Sequence, residues 1–333
     1  MNQETLLSAV EAELHRVVEA PRTRGAEAMY HMMAYHLGWE GEGAGHEASG
    51  KRIRPLLVLL TTASAGGDWQ AALPAAAAVE LVHNFSLIHD DIEDNSPLRR
   101  GRPTVWKLWG IPQAINTGDA MLSLAYLSLQ GLAQTISVEI ALQAGHLLQR
   151  TCLWLTEGQH LDISYETRLD LSLEDYWPMV YGKTAALLSA CTELGALVAG
   201  VDAKRQEAFR QYGWLLSLAF QVKDDLLGIW GDVRLTGKSV ASDLLTGKKT
   251  LPILYGLSQN GQFANRWKQG GITPSEVPGL AHELEVEGGR TFAQNIADQL
   301  TQDALDTLEK ASPTGEAGRA LIDLSHRLLN RQA

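Results

Sequence analysis

Two short acidic segments carry the clearest chemistry in this 333-residue chain, Asp90-Asp91-Ile92-Glu93-Asp94 and Asp224-Asp225. On a helix, residues four apart share a face at a separation of about 6 Å, so Asp90 and Asp94 aim at one point while Asp91 flanks them. Hard carboxylate oxygens suit magnesium, which takes one or two carboxylates and completes its octahedron with water and phosphate oxygens. An isolated acidic cluster is more often a solvated helix end. Its surroundings argue otherwise: residues 81–89 are mainly apolar, and carboxylates closing a buried helix repel one another and lose hydration unless a cation meets them. Gln221 to Asp225 close a second mainly apolar stretch in the same way.

Cations accompany both segments. Arg99, Arg100 and Arg102 follow the first, Lys238, Lys248 and Lys249 follow the second, and Lys51 and Arg54 lie near a predicted helix start. Guanidinium forks bind diphosphate oxygens through charge-assisted hydrogen bonds, and the amides of a helix start favour anions as well. Any one of these cations alone reads as surface charge. Taken together around two carboxylate clusters, they read as anion sites beside metal ligands. His83 and His89 share the first helix, where core packing is the ordinary role of a histidine. Gly158-Gln159-His160-Leu161-Asp162 and Lys183-Thr184 interrupt apolar helices, which fits a functional role or a buried hydrogen-bond device equally well.

The elements that must present these groups are helices. Apolar residues recur at helical spacing through 6–18, 71–89, 114–133, 138–155, 176–198 and 207–227. No strand-turn-helix unit surrounds a Gly-rich loop, which disfavours a dinucleotide-binding α/β fold. The main breaks, 38–50, 95–103 and 231–247, each adjoin a charged motif, and a weaker break lies at 270–279. No Pro-rich or Ser-rich linker divides the chain, so a single all-α domain over 1–333 is expected, with little chemical signal beyond Gln259. A hydrophobic fraction of 45% and a charged fraction of 20% describe an ordered globule. The net charge of −11 argues against nucleic-acid binding. Cys152 and Cys191 sit in apolar stretches and read as core residues, not as a disulfide framework. Without a leader-like N-terminus or a stretch apolar over the ~20 residues that span a bilayer, a cytoplasmic protein with no integral membrane segment is expected.

In their order along 50–252, these motifs resemble the trans-isoprenyl diphosphate synthases, the polyprenyl synthetase family that includes farnesyl and geranylgeranyl diphosphate synthases. The resemblance rests on Gly50-Lys-Arg-Ile-Arg-Pro55, on Asp90-Asp-x-x-Asp94 with its trailing Arg-Arg-Gly-Arg-Pro-Thr, and on Gly158-Gln-x-x-Asp162. Lys183-Thr184, Gln221-x-x-Asp-Asp225 and Gly237-Lys-x-x-x-x-Asp-Leu-x-x-Gly-Lys248 complete it. It implies the isoprenoid synthase fold, a helical bundle around a deep central cavity, and a homodimer. It implies three magnesium ions held by Asp90, Asp94 and Asp224, with Asp91 and Asp225 in support. Lys51, Arg54, His83 and Arg100 resemble the pocket for isopentenyl diphosphate. Arg99, Lys183, Lys238 and Lys248 resemble the grip on an allylic diphosphate, with Thr184 and Gln221 beside its reacting carbon. The implied reaction ionises the allylic diphosphate, joins the isopentenyl double bond to the cation and loses a proton.

The family's second acidic segment usually ends in a third Asp, where this chain has Gly228. The resemblance then implies a weaker third metal site or a noncatalytic subunit of a heteromeric synthase, and Asp232 lies one turn beyond. In the family the growing product runs along the helix below the first acidic segment. Phe85, five residues before Asp90, with Ser86 beside it, resembles the floor of enzymes making geranylgeranyl diphosphate, with farnesyl diphosphate the alternative. A class I terpene cyclase would share the first acidic segment but has no use for the Lys51 and Arg54 pocket.

Overall fold

Apolar periodicity becomes helix almost throughout the computed structural model, which describes residues 1–20, 23–231 and 242–329. In chain order the helices are α1 (Gln3–Glu19), α2 (Glu27–His36), α3 (His46–Ser49), α4 (Ile53–Ser64), α5 (Leu73–Glu93), α6 (Val105–Trp109), α7 (Ile111–Leu129), α8 (Leu132–Thr135) and α9 (Val138–Glu166). They continue as α10 (Leu173–Val180), α11 (Ala186–Val198), α12 (Ala203–Trp230), α13 (Ser242–Thr246), α14 (Leu251–Gln259), α15 (Gln262–Trp267), α16 (Val277–Val286), α17 (Gly289–Lys310) and α18 (Gly315–Leu329). Among the described residues the one β pairing is antiparallel, β1 (Leu98–Arg99) with β2 (Arg102–Pro103), in the register Leu98 to Pro103 and Arg99 to Arg102. The expected helix over 176–198 is interrupted by a π turn at Tyr181–Ala185, just after Pro178 removes a backbone donor.

The chain forms two compact units. The first comprises Met1–Arg150, Cys191–Gln206 and Pro313–Ala320, and the second comprises Thr151–Ala190, Glu207–Ser312 and Leu321–Ala333. No linker marks the division in the sequence because the chain returns to each unit more than once.

In the first unit α5 packs along α7 and against α4. Pro74 opens α5 and Ala75 to Ala78 are fully buried, small side chains that let neighbouring helices approach closely. Leu57 to Leu60 supply the bulk on α4. Trp69–Glu93, which contains α5, is long and apolar enough to cross a bilayer, contrary to the sequence expectation. Yet 72% of its apolar window is buried inside the protein, as befits a core helix.

The second unit is organised around α12. Leu218, Val222 and Leu226 pack with Tyr176 and Val180 of α10, Leu251 and Leu254 of α14, and Ala293 and Ala297 of α17. A further cluster of Ile229, Leu244, Ile253, Phe263 and Leu284 gives the chemically silent C-terminal portion a packing role.

A charged pair, Arg52 and Glu80, lies deep in the first unit. Arg52, at the N-cap of α4 with φ 47°, is 4% exposed and donates from Nε to Glu11 (2.7 Å), from Nη1 to Glu80 (2.7 Å) and from Nη2 to the Leu37 carbonyl (3.2 Å). Glu80, 2% exposed, also accepts from Asn84 at 2.9 Å. Removing one member of such a buried pair strands the other charge. Arg52→Ala is therefore expected to cost about 3–5 kcal/mol in urea unfolding, whereas a loss below ~1 kcal/mol, the scale of a surface pair, would contradict this reading.

Candidate functional site

The first acidic segment ends α5. Asp94 is the C-cap residue, its amide donating to the Asp90 carbonyl at 2.8 Å, and Asn95 stops the helix in the left-handed region at φ 51°. The chain then turns through the β1–β2 hairpin, whose two loop residues, Arg100 and Gly101, both have positive φ (52° and 75°). That geometry matches the right-handed twist of the paired strands. It sends the three arginines of this segment to different tasks. Arg99 turns back onto Asp91, with Nε 2.9 Å from Oδ1 and 3.0 Å from Oδ2, and Nη2 2.8 Å from Oδ1. Arg100 reaches the Ala48 carbonyl at 2.7 Å. Arg102 stacks on Tyr35 and donates to the carbonyls of Glu42, Tyr35 and Glu40 at 2.9, 2.8 and 2.7 Å, so it is a structural clamp and not the anion ligand that its place in the sequence suggested.

Lys51, Arg54, His83 and Arg100, four scattered positions, line one cavity of about 470 Å³ together with Gly50 and Glu80. Gly50 has φ 78°, and a Cβ there would stand 2.6 Å from an Arg100 guanidinium nitrogen, so glycine is required by conformation and by space. Arg54 keeps a buried Nε without a hydrogen-bond partner, and burial lowers its affinity for its proton. A buried, unsatisfied guanidinium donor in a cavity suits an anion. Burial, with Arg54 and Arg100 nearby, holds His83 well below the usual imidazole range and therefore neutral at pH 7. Glu80 went unremarked in the sequence. Its signal was a lone carboxylate in an apolar helix, which demands a buried partner, here Arg52.

Phe85 is half-buried on the same helix, its ring edge-on to His89 at 4.8 Å between centroids. Ser86 donates to the His83 carbonyl at 2.8 Å. His89 fits against α7 because residue 118 is glycine, where a Cβ would meet its Nε2 at 2.4 Å.

The second unit holds the other set. In the π turn, Gly182 lies against Gly158 of α9 so closely that a Cβ on Gly158 would be 2.0 Å from the Lys183 amide nitrogen. One helical turn beyond Gly158, Asp162 forms an ion pair with Lys183. The Gly-Gln-x-x-Asp and Lys-Thr motifs are thus one contact, glycine for approach and aspartate for charge. Thr184 donates to Gln221 Oε1 at 2.8 Å, and Gln221 Nε2 donates to Asp225 Oδ1 at 2.9 Å. Lys248 is exposed beside α13, its amide donating to the Asp243 carbonyl at 3.1 Å. Lys238 and Asp232 lie outside the described residues.

The five aspartates expected at metal divide into two kinds. Asp90 and Asp224 are partly exposed and Asp94 is exposed. Asp91, 2% exposed on its side chain, has both oxygens taken by Arg99. Asp225, 4% exposed, accepts from Gln221, from Tyr176 Oη (2.8 Å) and from the Leu251 amide (3.0 Å). Burial raises the Asp91 carboxyl against the pull of Arg99, and pushes the Asp225 carboxyl up to about 7 against its three donors. Asp91 and Asp225, the two expected in support, are thus the ones enclosed by protein donors. The partly exposed carboxylates are hard oxygen donors of the kind magnesium takes. One or two carboxylates completed by water and phosphate oxygens are what this ion prefers.

Gly228, the departure in the second segment, lies against the buried side chain of Asp243. A Cβ at 228 would stand 2.0 Å from Asp243 Oδ2 and 2.7 Å from its Cγ.

The family model described as polyprenyl synthetase matches residues 44–273. The (2E,6E)-farnesyl diphosphate synthase of Mycobacterium bovis is 41% identical over 312 residues, covering 91% of this chain and 86% of that protein. The geranylgeranyl diphosphate synthase of Mycobacterium tuberculosis is 40% identical over 326 residues, 96% of this chain and 90% of that protein. Among solved structures, a polyprenyl synthetase from Streptomyces coelicolor superposes with a TM-score of 0.87 at 34% identity, covering 98% of both chains.

The Gly228 contact is open to test. Gly→Ala inside a helix ordinarily gains about 1 kcal/mol. Here the new methyl needs volume held by the Asp243 carboxylate, and overpacking of this kind costs about 1–3 kcal/mol. Gly228→Ala is expected to lower stability in thermal unfolding, and adding Asp243→Ala to recover part of the loss. A stabilised Gly228→Ala protein would contradict the contact.

Proposed function

Because the chain belongs to the polyprenyl synthetase family and has its all-α isoprenoid synthase fold, we propose that it is a magnesium-dependent prenyl diphosphate synthase that extends an allylic diphosphate with isopentenyl diphosphate to geranylgeranyl diphosphate. The observation that carries the reading is the cavity lined by Lys51, Arg54, Arg100 and neutral His83, with an unsatisfied buried guanidinium donor. This is a site for a doubly anionic headgroup, and it has no use in a terpene cyclase, which takes no second diphosphate. Its one buried carboxylate, Glu80, is tied to Arg52.

In this reading Asp90, Asp94 and Asp224 hold magnesium, which supplies positive charge to a departing diphosphate. Arg99, Lys183 and Lys248 add cationic donors for the allylic diphosphate, as Lys238 does by resemblance, and stabilise charge where it develops on the leaving group. Lys183 is ion-paired with Asp162 in the protein as it stands, so gripping an anion means sharing that lysine. Thr184 and Gln221 direct oxygen dipoles toward the cation at the allylic carbon. Apolar helix faces exclude the water that would quench it.

Phe85 sets the product length as the floor beneath the first acidic segment, braced by His89. Farnesyl diphosphate is the second reading, favoured by the similarity to the mycobacterial farnesyl diphosphate synthase. A homodimer accompanies the activity, its second copy covering the apolar side chains of Leu127, Val138 and Leu142, which are 55%, 73% and 75% exposed.

Incubation of the protein with isopentenyl diphosphate, magnesium and dimethylallyl, geranyl or farnesyl diphosphate in turn is expected to yield a C20 product, with EDTA abolishing turnover. Absence of elongation from all three primers would overturn the proposal, and arrest at C15 would select the farnesyl reading. Phe85→Ala is expected to shift the products to longer chains by at least one isoprene unit, and an unchanged distribution would remove Phe85 from that role.

A further inference from the structure

Asp225 stands beside a residue assigned to metal, yet its environment describes a different task. It lies at the centre of a chain of hydrogen bonds within the second unit. Tyr176 Oη and the Leu251 amide both donate to Oδ2, at 2.8 and 3.0 Å, and Gln221 Nε2 donates to Oδ1 at 2.9 Å. Gln221 Oε1 accepts in turn from Thr184 Oγ1 at 2.8 Å. Gln221 and Asp225 are four residues apart on α12, so one helix face sets their spacing.

The direction of every bond in this chain follows from Asp225. In its ionised form Asp225 accepts from all three donors, so the amide of Gln221 turns its NH₂ toward Asp225 and its carbonyl toward Thr184. A threonine hydroxyl has one proton. Thr184 donates it to Gln221, and what both residues offer to anything else from these atoms is oxygen lone pairs. Were the amide reversed, its N–H would point at Thr184, the hydroxyl proton would be released outward, and the same two residues would present hydrogens.

We propose that Asp225, held by Tyr176 and the Leu251 amide, is a positioning residue that fixes the amide orientation of Gln221, and through it the hydroxyl of Thr184, so that both present lone pairs to the allylic cation. The inference rests on the reading that Thr184 and Gln221 face the reacting carbon. It makes Tyr176, which no sequence motif singled out, part of the same device.

The test exploits the two ends of an asparagine. In Asp225→Asn the carbonyl stays where Tyr176 and the Leu251 amide require an acceptor, so the new NH₂ faces Gln221 and forces its amide to turn over. The dipoles facing the cation reverse. Turnover with geranyl diphosphate is expected to fall about a hundred- to thousandfold, the order of effect of losing one catalytic dipole. KM for the allylic diphosphate is expected to stay within about twofold, since the interaction is made in the transition state.

Gln221→Glu in the Asp225→Asn background supplies two acceptor oxygens, one for the NH₂ of the introduced asparagine and one for Thr184, and is expected to restore turnover about tenfold over Asp225→Asn alone. In the native background the same Gln221→Glu sets carboxylate against carboxylate and lowers turnover. The double variant being more active than Gln221→Glu alone is a reading independent of whether Asp225→Asn folds, and the reverse order would overturn the proposal.

The magnesium concentration giving half-maximal rate is expected to be unchanged in Asp225→Asn. A tenfold rise would return Asp225 to the metal and sink the positioning role. Gln221→Met at full rate would remove Gln221 from the reacting carbon, and with it the premise. Gln221→Met slowed while Asp225→Asn runs at the native rate would overturn the positioning role alone.

Discussion

Carboxylates at the ends of apolar helices lose hydration and repel one another, and much of the candidate site is an answer to that cost. In each acidic pair the second member is buried and its oxygens are satisfied by the chain itself. Arg99 encloses Asp91, while Tyr176, Gln221 and the Leu251 amide enclose Asp225. The first members, Asp90 and Asp224, stay partly exposed. Adjacent aspartates are therefore placed unlike: one is buried among its donors, and the other is partly exposed. The same division accounts for Arg99, whose guanidinium is oriented by Asp91.

Positive charge is distributed with comparable care. Burial depresses the titration of His36, to about 3, and of His83, and Arg52, Arg54, Arg99, Arg100 and Arg102 are close enough in the first unit to add to it between them. Arg52 is neutralised by Glu11 and Glu80, and Arg102 is spread over three carbonyls. Arg54 and Arg100 remain at the cavity with Lys51, where desolvation makes an arriving anion more strongly held than it would be on the surface. Glu80 belongs to this balance, because it is paired with Arg52 beside the cavity.

Close approach by glycine supplies the third element. Gly50 leaves room for Arg100, Gly158 and Gly182 let α9 meet the π turn that carries Lys183 and Thr184, and Gly118 admits the His89 ring that braces Phe85. Gly228 belongs with these. In isolation its place in the second acidic segment reads as a lost ligand. Its space is filled by the Asp243 carboxylate, so the substitution is part of a packing arrangement and not simply a gap.

The amino-acid sequence by itself determined the helices, the two acidic segments and the cations that accompany them, because helical periodicity and i, i+4 spacing are local properties. It also placed Lys51, Arg54, His83 and Arg100 in one group by resemblance, and the structure gathers them around one cavity. Tertiary structure alone decided which aspartate of each pair is buried, which arginine of 99, 100 and 102 faces the cavity, and what fills the space at Gly228. It also exposed Tyr176 and Glu80 as partners of charged groups. Those outcomes turn on burial and on donors distant along the chain. Tyr176 lies 49 positions from Asp225, Leu251 lies 26 away, and Glu80 lies 28 from Arg52. A carboxylate's role is set by how many donors surround it, and that number exists only once the chain has folded.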